Sequence, residues 1–154
     1  MKTVEQIGML VSNHINNKHI LEIACGSAEF SIMASSKAER IECIDVDASR
    51  LLPEAQQKSP ITFHVMDATR LLFPDESFDT VIAYNAIGHL SGVLERAIHE
   101  SIRVLKADGS LLIITNWKLD KSVIIKEALP FLESCDLKYG LKERGKTTIV
   151  TVIK

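Results

Sequence analysis

Apolar positions along the chain change period several times, and each change marks an element. Behind Thr3 and Gln6, which have capping-box spacing, Val4, Ile7, Leu10, Val11 and Ile15 recur at helical intervals, predicting an amphipathic helix over residues 3–16. The compact apolar run His19 to Cys25 predicts a strand, followed by a helix in which Phe30, Met33 and Ala34 share one face. RIECIDVD reads as a second buried strand, with a short helix starting at Asp47 or Ser49 and limited by Pro53. ITFHVMDAT is a third strand and FPDES a polar turn. FDTVIAYN, uncharged after Asp79, has the character of a strand covered on both faces.

Leu94, Ile98, Ile102 and Leu105 mark a helix over residues 91–105, ended by KADG before a fifth strand, SLLIITN. Helical spacing returns over residues 121–134, with a kink expected at Pro130. LKYGLKER and TTIVTVIK are separated only by Gly145 and Lys146, too few residues for a crossover, so they must pair as an antiparallel hairpin. Strands alternating with helices and closed by a hairpin describe an α/β fold. Its expected form is a three-layer, Rossmann-like, doubly wound sheet, mostly parallel, with one reversed strand.

Composition narrows the function classes. The 154 residues suit a single domain over residues 1–154, and 18 basic against 20 acidic side chains argue against binding nucleic acid by broad phosphate neutralisation. No apolar run reaches a membrane span and no secretory pattern opens the chain, so the expected location is cytoplasmic. Cys25, Cys43 and Cys135 are odd in number and lack Cys-x-x-Cys spacing, predicting reduced, mostly buried thiols and no metal site.

In an open parallel sheet, ligands bind beyond the carboxyl ends of the strands, where strand order reverses. Those ends here are Ala24-Cys25-Gly26-Ser27-Ala28, Asp45-Val46-Asp47, Asp67-Ala68 and Tyr84-Asn85. Asp45 stands 19 positions past Gly26, where a carboxylate accepts both ribose hydroxyls, and Asp67 is placed to accept from an adenine amino group. A pyrophosphate would demand close backbone approach at several glycines, yet Ala24 and Ala28 occupy two such places. An adenosine ligand without phosphate relaxes that demand and leaves Gly26 as the one tight turn. S-adenosylmethionine is such a ligand.

These segments also resemble the class I S-adenosylmethionine-dependent methyltransferases, in particular the small-molecule branch related to ubiquinone and menaquinone biosynthesis enzymes. The likeness runs from Ile20 to Thr115 through ILEIACGSAEF, IECIDVDASRL, VMDATRLLFPDESFDTVIAYNAIGHL and RVLKADGSLLII, in that order. It implies seven strands with the last antiparallel, and S-adenosylmethionine as the cofactor. It also implies cofactor-binding roles for named residues. Glu22 would anchor the first loop near the methionine end, and Ala24, Cys25, Gly26 and Ser27 would line the amino-acid moiety. Asp45 would hold the ribose, and Val46 would flank the adenine. Asp67 and Ala68 would meet the adenine edge, and Asn85 would lie near the methionine portion. Ala28 departs from the glycine usual in the family.

Other residues have plainer readings. Asp79 reads as a strand-start residue, and Asp75 and Glu76 as a solvated turn. Glu22, inside an apolar strand, needs a partner, because an unpaired buried carboxylate costs several kcal/mol. His89 falls just after the fourth strand and is the candidate acid–base residue; Trp117 would wall the acceptor pocket or anchor a loop. Transfer from a sulfonium needs alignment and exclusion of water more than catalytic groups. The expected activity is methyl transfer to a small-molecule acceptor, with neither nucleic acid nor membrane as partner. The acceptor site is expected either open or completed by a homodimer partner or another subunit. The alternatives are a non-catalytic S-adenosylmethionine-binding subunit and a nicotinamide-dependent oxidoreductase. YNAIG does not resemble the Asn/Asp-Pro-Pro-aromatic turn used for nucleic-acid amino methylation.

Overall fold

The computed structural model describes residues 1–154, and its strands join in one sheet. They are β1 (His19–Glu22), β2 (Arg40–Asp45), β3 (Ile61–Val65), β4 (Phe78–Tyr84), β5 (Leu105–Thr115), β6 (Tyr139–Arg144) and β7 (Thr147–Ile153). Their order across the seven-stranded sheet is β3-β2-β1-β4-β5-β7-β6. Only β7 runs against its neighbours, inserted between β5 and β6, so the expected reversed last strand is present. The chain builds outward from β1 in one direction and from β4 in the other, and the order therefore reverses between those two.

Helices α1 (Thr3–Leu10), α2 (Ser12–Ile15) and α3 (Glu29–Ala34) cover one face, α5 (Leu94–Val104) and α7 (Leu129–Ser134) the other, and α4 (Pro53–Gln57) packs beside β3. Consecutive strand residues divide between the two layers. Ile20, Ile82 and Leu112 join Ile7, Ile15 and Phe30 on one side, while Leu21, Val81 and Leu111 join Leu94, Ile98 and Leu132 on the other. Double-sided burial explains why β1, β4 and β5 read as apolar runs rather than alternating patterns. Each fully buried Ile or Leu contributes about 1.5–3 kcal/mol.

Several boundaries differ from the sequence expectation for local reasons. The first helix breaks at Val11, and its cap lies one residue earlier than expected, where the Lys2 amide donates to Glu5 Oε2 at 2.9 Å. Pro53 opens α4 instead of curtailing an earlier helix, since a missing N–H is harmless in a first turn. Asp47 forms its own turn by accepting from the Ser49 amide at 2.8 Å. KADG does not precede the fifth strand but lies within β5, as an irregularity: Phe78 faces Leu105, whereas Thr80 faces Ser110. Gly109 permits that bulge, because a Cβ there would stand 2.8 Å from the Lys106 carbonyl.

The last helical region begins at α6 (Lys118–Val123) and passes through a π-type turn, Ile124–Ala128, into α7. Pro130 has no N–H for the Lys126 carbonyl and its ring crowds that oxygen, so the ladder widens just before it. Asp75 is not simply solvated. Arg103 of α5 binds its carboxylate at 2.7 Å, pairs with Glu100 at 2.7 Å, and donates to the carbonyls of Leu71 and Phe73. One guanidinium thereby fixes the connection between β3 and β4.

Candidate functional site

At the reversal point the chain leaves β1 through a loop with three left-handed residues, Ala24 (φ 48°), Gly26 (φ 55°) and Ala28 (φ 62°). Backbone and side chain both tie this loop to β2. The Cys25 amide donates to the Ile44 carbonyl at 2.9 Å, and the Gly26 amide to Asp45 Oδ2 at 2.8 Å. Asp45 Oδ1 accepts from the Asp47 amide at 3.0 Å. An ionised carboxylate offers about four lone-pair sites, so each Asp45 oxygen keeps one for a further donor. That capacity, half-buried beside a glycine turn, fits a vicinal diol.

Glu22 lies beneath the loop, 1% exposed. Its Oε2 accepts from both the Ser31 amide, at 3.0 Å, and the Ser31 hydroxyl, at 2.5 Å, which pins the start of α3 to β1. Burial raises its carboxyl to about 8 despite those two bonds, and the Glu29 and Asp45 charges push the same way. Cys25 and Cys43 pack together under the same loop. The neighbouring Cys43 thiol, followed by burial, pushes the Cys25 thiol upward. Cys135 is the exposed one of the three thiols.

A crevice of about 120 Å³ opens between the loop and β4. Ala24 to Ser27 form one side; Tyr84, Asn85, His89 and Trp117 form the other, and Glu29 and Arg50 complete it. Asn85 Oδ1 accepts from the Asn116 amide at 3.0 Å, joining the ends of β4 and β5. Burial, helped by the Glu29 and Glu22 charges, raises the Tyr84 phenol to about 12. His89 is exposed on the 3₁₀ turn Ile87–Leu90, at the crevice wall. Arg50 crosses over the glycine turn, with its guanidinium carbon 3.4 Å from where a Gly26 Cβ would stand.

The structure thus gathers Ala24, Cys25, Gly26, Ser27, Asn85 and His89 around one opening, with Asp45 immediately behind it. Val46, 69% exposed, and Asp67, also exposed, stand outside the crevice lining. Asp67 Oδ1 already accepts from the Thr69 amide and hydroxyl, both at 2.8 Å, and these bonds hold its carboxyl below the ordinary range. The Ala68 side chain is buried in the core. Arg50, Glu29 and Tyr84 are lining residues that the motif reading did not single out. Ser31, the partner of Glu22, had one sequence signal, because a carboxylate within a buried strand requires a donor on a neighbouring element.

Ala24 and Ala28 occupy a backbone region that costs an L-residue about 1–2 kcal/mol. Glycine would relieve that strain and give back about 0.5–1 kcal/mol of it through unfolded-chain entropy. Ala28, however, is fully buried, and losing its methyl costs about 0.8 kcal/mol. Urea titration should therefore find Ala24→Gly more stable by about 0.5 kcal/mol and Ala28→Gly unchanged or slightly weaker. Equal gains at both positions would contradict this accounting.

Comparison with known proteins places this geometry among relatives. The family described as Methyltransferase domain matches residues 21–113. The chain is 31% identical to the uncharacterized methyltransferase YcgJ of Bacillus subtilis, over 78% of this chain and 50% of that protein. It is 29% identical to the ubiquinone/menaquinone biosynthesis C-methyltransferase UbiE of Rickettsia massiliae, over 70% of this chain and 48% of that protein. The chain therefore spans about half the length of these curated relatives. Among solved structures, a SAM-dependent methyltransferase from Aquifex aeolicus superposes with a TM-score of 0.78 at 17% identity, covering 97% of this chain and 88% of that one. The YcgJ crystal structure gives 0.75 at 18% identity, covering 91% and 70%. At such identities the superpositions establish the shared fold. No helix is long and apolar enough to cross a membrane.

Proposed function

The chain belongs to the methyltransferase-domain family, and on that footing we propose that it transfers a methyl group from S-adenosylmethionine to a small-molecule acceptor. The observation that carries this reading is the Asp45 carboxylate, bonded to the Gly26 amide at the strand-reversal point with a lone pair unused on each oxygen. Asp45 would hold the ribose hydroxyls, and Ala24 to Ser27 would lie along the amino-acid portion. Val46, Asp67 and the Ala68 backbone would border the adenine, and Asn85 would border the methionine end. Glu22, locked to Ser31, would keep the loop in place without touching the ligand.

When bound, S-adenosylmethionine supplies an activated methyl group whose transfer leaves a neutral thioether. The chain's own task is then to orient the acceptor and exclude water. Asn85, His89 and Trp117 wall the crevice on the side where an acceptor would enter. The relatives named for menaquinone and ubiquinone biosynthesis support a planar ring as the acceptor type.

Calorimetry with S-adenosylhomocysteine and NAD tests the reading. The expected result is saturable binding of S-adenosylhomocysteine and none of NAD at millimolar concentration; the reverse preference would overturn it. A second reading is a cofactor-binding subunit without its own turnover. Tight cofactor binding with no release of S-adenosylhomocysteine across an acceptor panel would select it.

A further inference from the structure

Among the side chains that wall the crevice, the imidazole of His89 is the one best suited to exchange a proton, and it stands on a short turn. The turn's own backbone bonds are few, from the His89 amide to the Ala86 carbonyl at 3.0 Å and from the Ser91 amide to the Gly88 carbonyl at 3.5 Å. Ile87 and Leu90 are buried in the core and fix its apolar side. Gly88 and His89 face outward, and Gly92 follows with φ 85°, a conformation that a side chain would resist.

Two carboxyl groups from the next helical segment meet this turn at its two ends. Asp120 of α6 is 6% exposed, and its Oδ1 stands so close to Gly88 that an added Cβ would lie 2.5 Å from it. The Asp120 side chain has one hydrogen bond, from the Thr115 hydroxyl to Oδ2 at 3.4 Å. Burying a carboxyl group with so few donors is costly, and an apolar side chain would fill the place at less cost. Packing alone therefore does not account for an aspartate there.

Glu127 holds the other end. It belongs to the π-type turn Ile124–Ala128, a kind of distortion found frequently at functional sites. Its Oε2 accepts from the Ser91 hydroxyl at 2.8 Å and its Oε1 from the Gly92 amide at 3.3 Å. These bonds are not a helix cap of α5. The cap residue is Val93, and a cap serves the amides after it, whereas Glu127 takes groups that precede it. Both bonds act on the connection that carries His89.

We propose that Asp120 and Glu127 are positioning residues, which clamp the turn from Gly88 to Gly92 at its two ends and so hold the His89 imidazole against the crevice. The inference rests on the methyltransferase reading for the use to which His89 is put, but the clamp itself is measured without cofactor or acceptor. Glu127 acts by hydrogen bonds and Asp120 by filling the space that Gly88 leaves. Loss of a bond and loss of that space should therefore have the same consequence for His89.

Trp117 is the chain's one tryptophan and lines the same crevice as His89, so its emission reports where the imidazole lies. A protonated imidazole beside an indole quenches the indole's fluorescence. The emission of the full chain should fall as imidazoles protonate, and the part of that fall missing from His89→Gln belongs to His89. Glu127→Ala, at a partly exposed position, should at least halve this His89-dependent amplitude. Gly88→Ala should do the same, because its methyl collides with Asp120, and the double variant Gly88→Ala/Asp120→Ala should regain it. A destabilised fold would not recover on removal of a second side chain, so the double variant separates positioning from simple loss of structure. Absence of His89-dependent quenching in the wild type, or full amplitude in Glu127→Ala or Gly88→Ala, overturns the proposal; a double variant that regains nothing removes Asp120 from it. Calorimetry with S-adenosylhomocysteine on the same wild-type preparation separates the two claims. If the cofactor product binds and the variants keep full amplitude, this inference alone fails; if the amplitudes behave as expected and the cofactor product does not bind, the methyltransferase reading fails while the clamp stands.

Discussion

Asp45→Asn should weaken S-adenosylhomocysteine binding by about 100-fold, because two charge-assisted hydrogen bonds to a diol contribute about 1.5–3 kcal/mol each and an amide replaces only part of them. The damage extends beyond the missing charge. Both carboxylate oxygens already accept backbone amides, Oδ2 from Gly26 and Oδ1 from Asp47. Whichever way the asparagine amide turns, its NH₂ meets one of those N–H groups donor to donor. The loop should therefore loosen as well, lowering stability by about 1–2 kcal/mol, or roughly 3–6 °C in Tm for a chain of this size. Asp67→Asn is the informative contrast. That carboxylate is exposed and spends Oδ1 on Thr69, so its loss should cost less than about tenfold in affinity. Wild-type affinity in Asp45→Asn, measured by calorimetry, would falsify the assignment of the ribose site.

The contrast between these two aspartates shows what a sequence can convey about such a site. Position along the chain placed both at strand ends, because apolar runs locate parallel strands and the ligand edge follows from the topology. Position could not say which carboxylate would be tied to the glycine turn. That depends on strand register, which sets Ile44 beside the Cys25 amide and so brings Asp45 to Gly26. The same limit explains Arg50. Nothing in its local pattern distinguishes it from a solvated surface residue, and only the path of the chain after Asp47 lays it across Gly26. Boundaries failed where one residue type has two meanings. Pro53 reads equally as a helix limit or a helix start, and KADG reads as a turn although the strand absorbs it as a bulge.

Glu22 is where sequence and structure together yield a pH dependence. In the unfolded chain its carboxyl ionises near 4.5, whereas burial in the fold raises it to about 8. At pH 4 it is largely protonated in both states, and burying it costs no ionisation energy. As the pH rises above the unfolded value, only the unfolded chain releases the proton, so stability falls until the folded group also ionises near pH 8. At about 1.4 kcal/mol per unit the loss is bounded by roughly 5 kcal/mol. Glu22→Gln keeps an oxygen for the two Ser31 bonds and has no proton to lose. Relative to this variant, the wild type should therefore lose several kcal/mol between pH 5 and pH 9. His14, whose ring burial holds below its ordinary value, contributes to both proteins and cancels in the difference. Urea denaturation of the pair at both pH values measures that difference directly. Parallel pH profiles would mean that Glu22 is ionised in the folded protein at neutral pH, and that the bonds from Ser31 outweigh the cost of burying its charge.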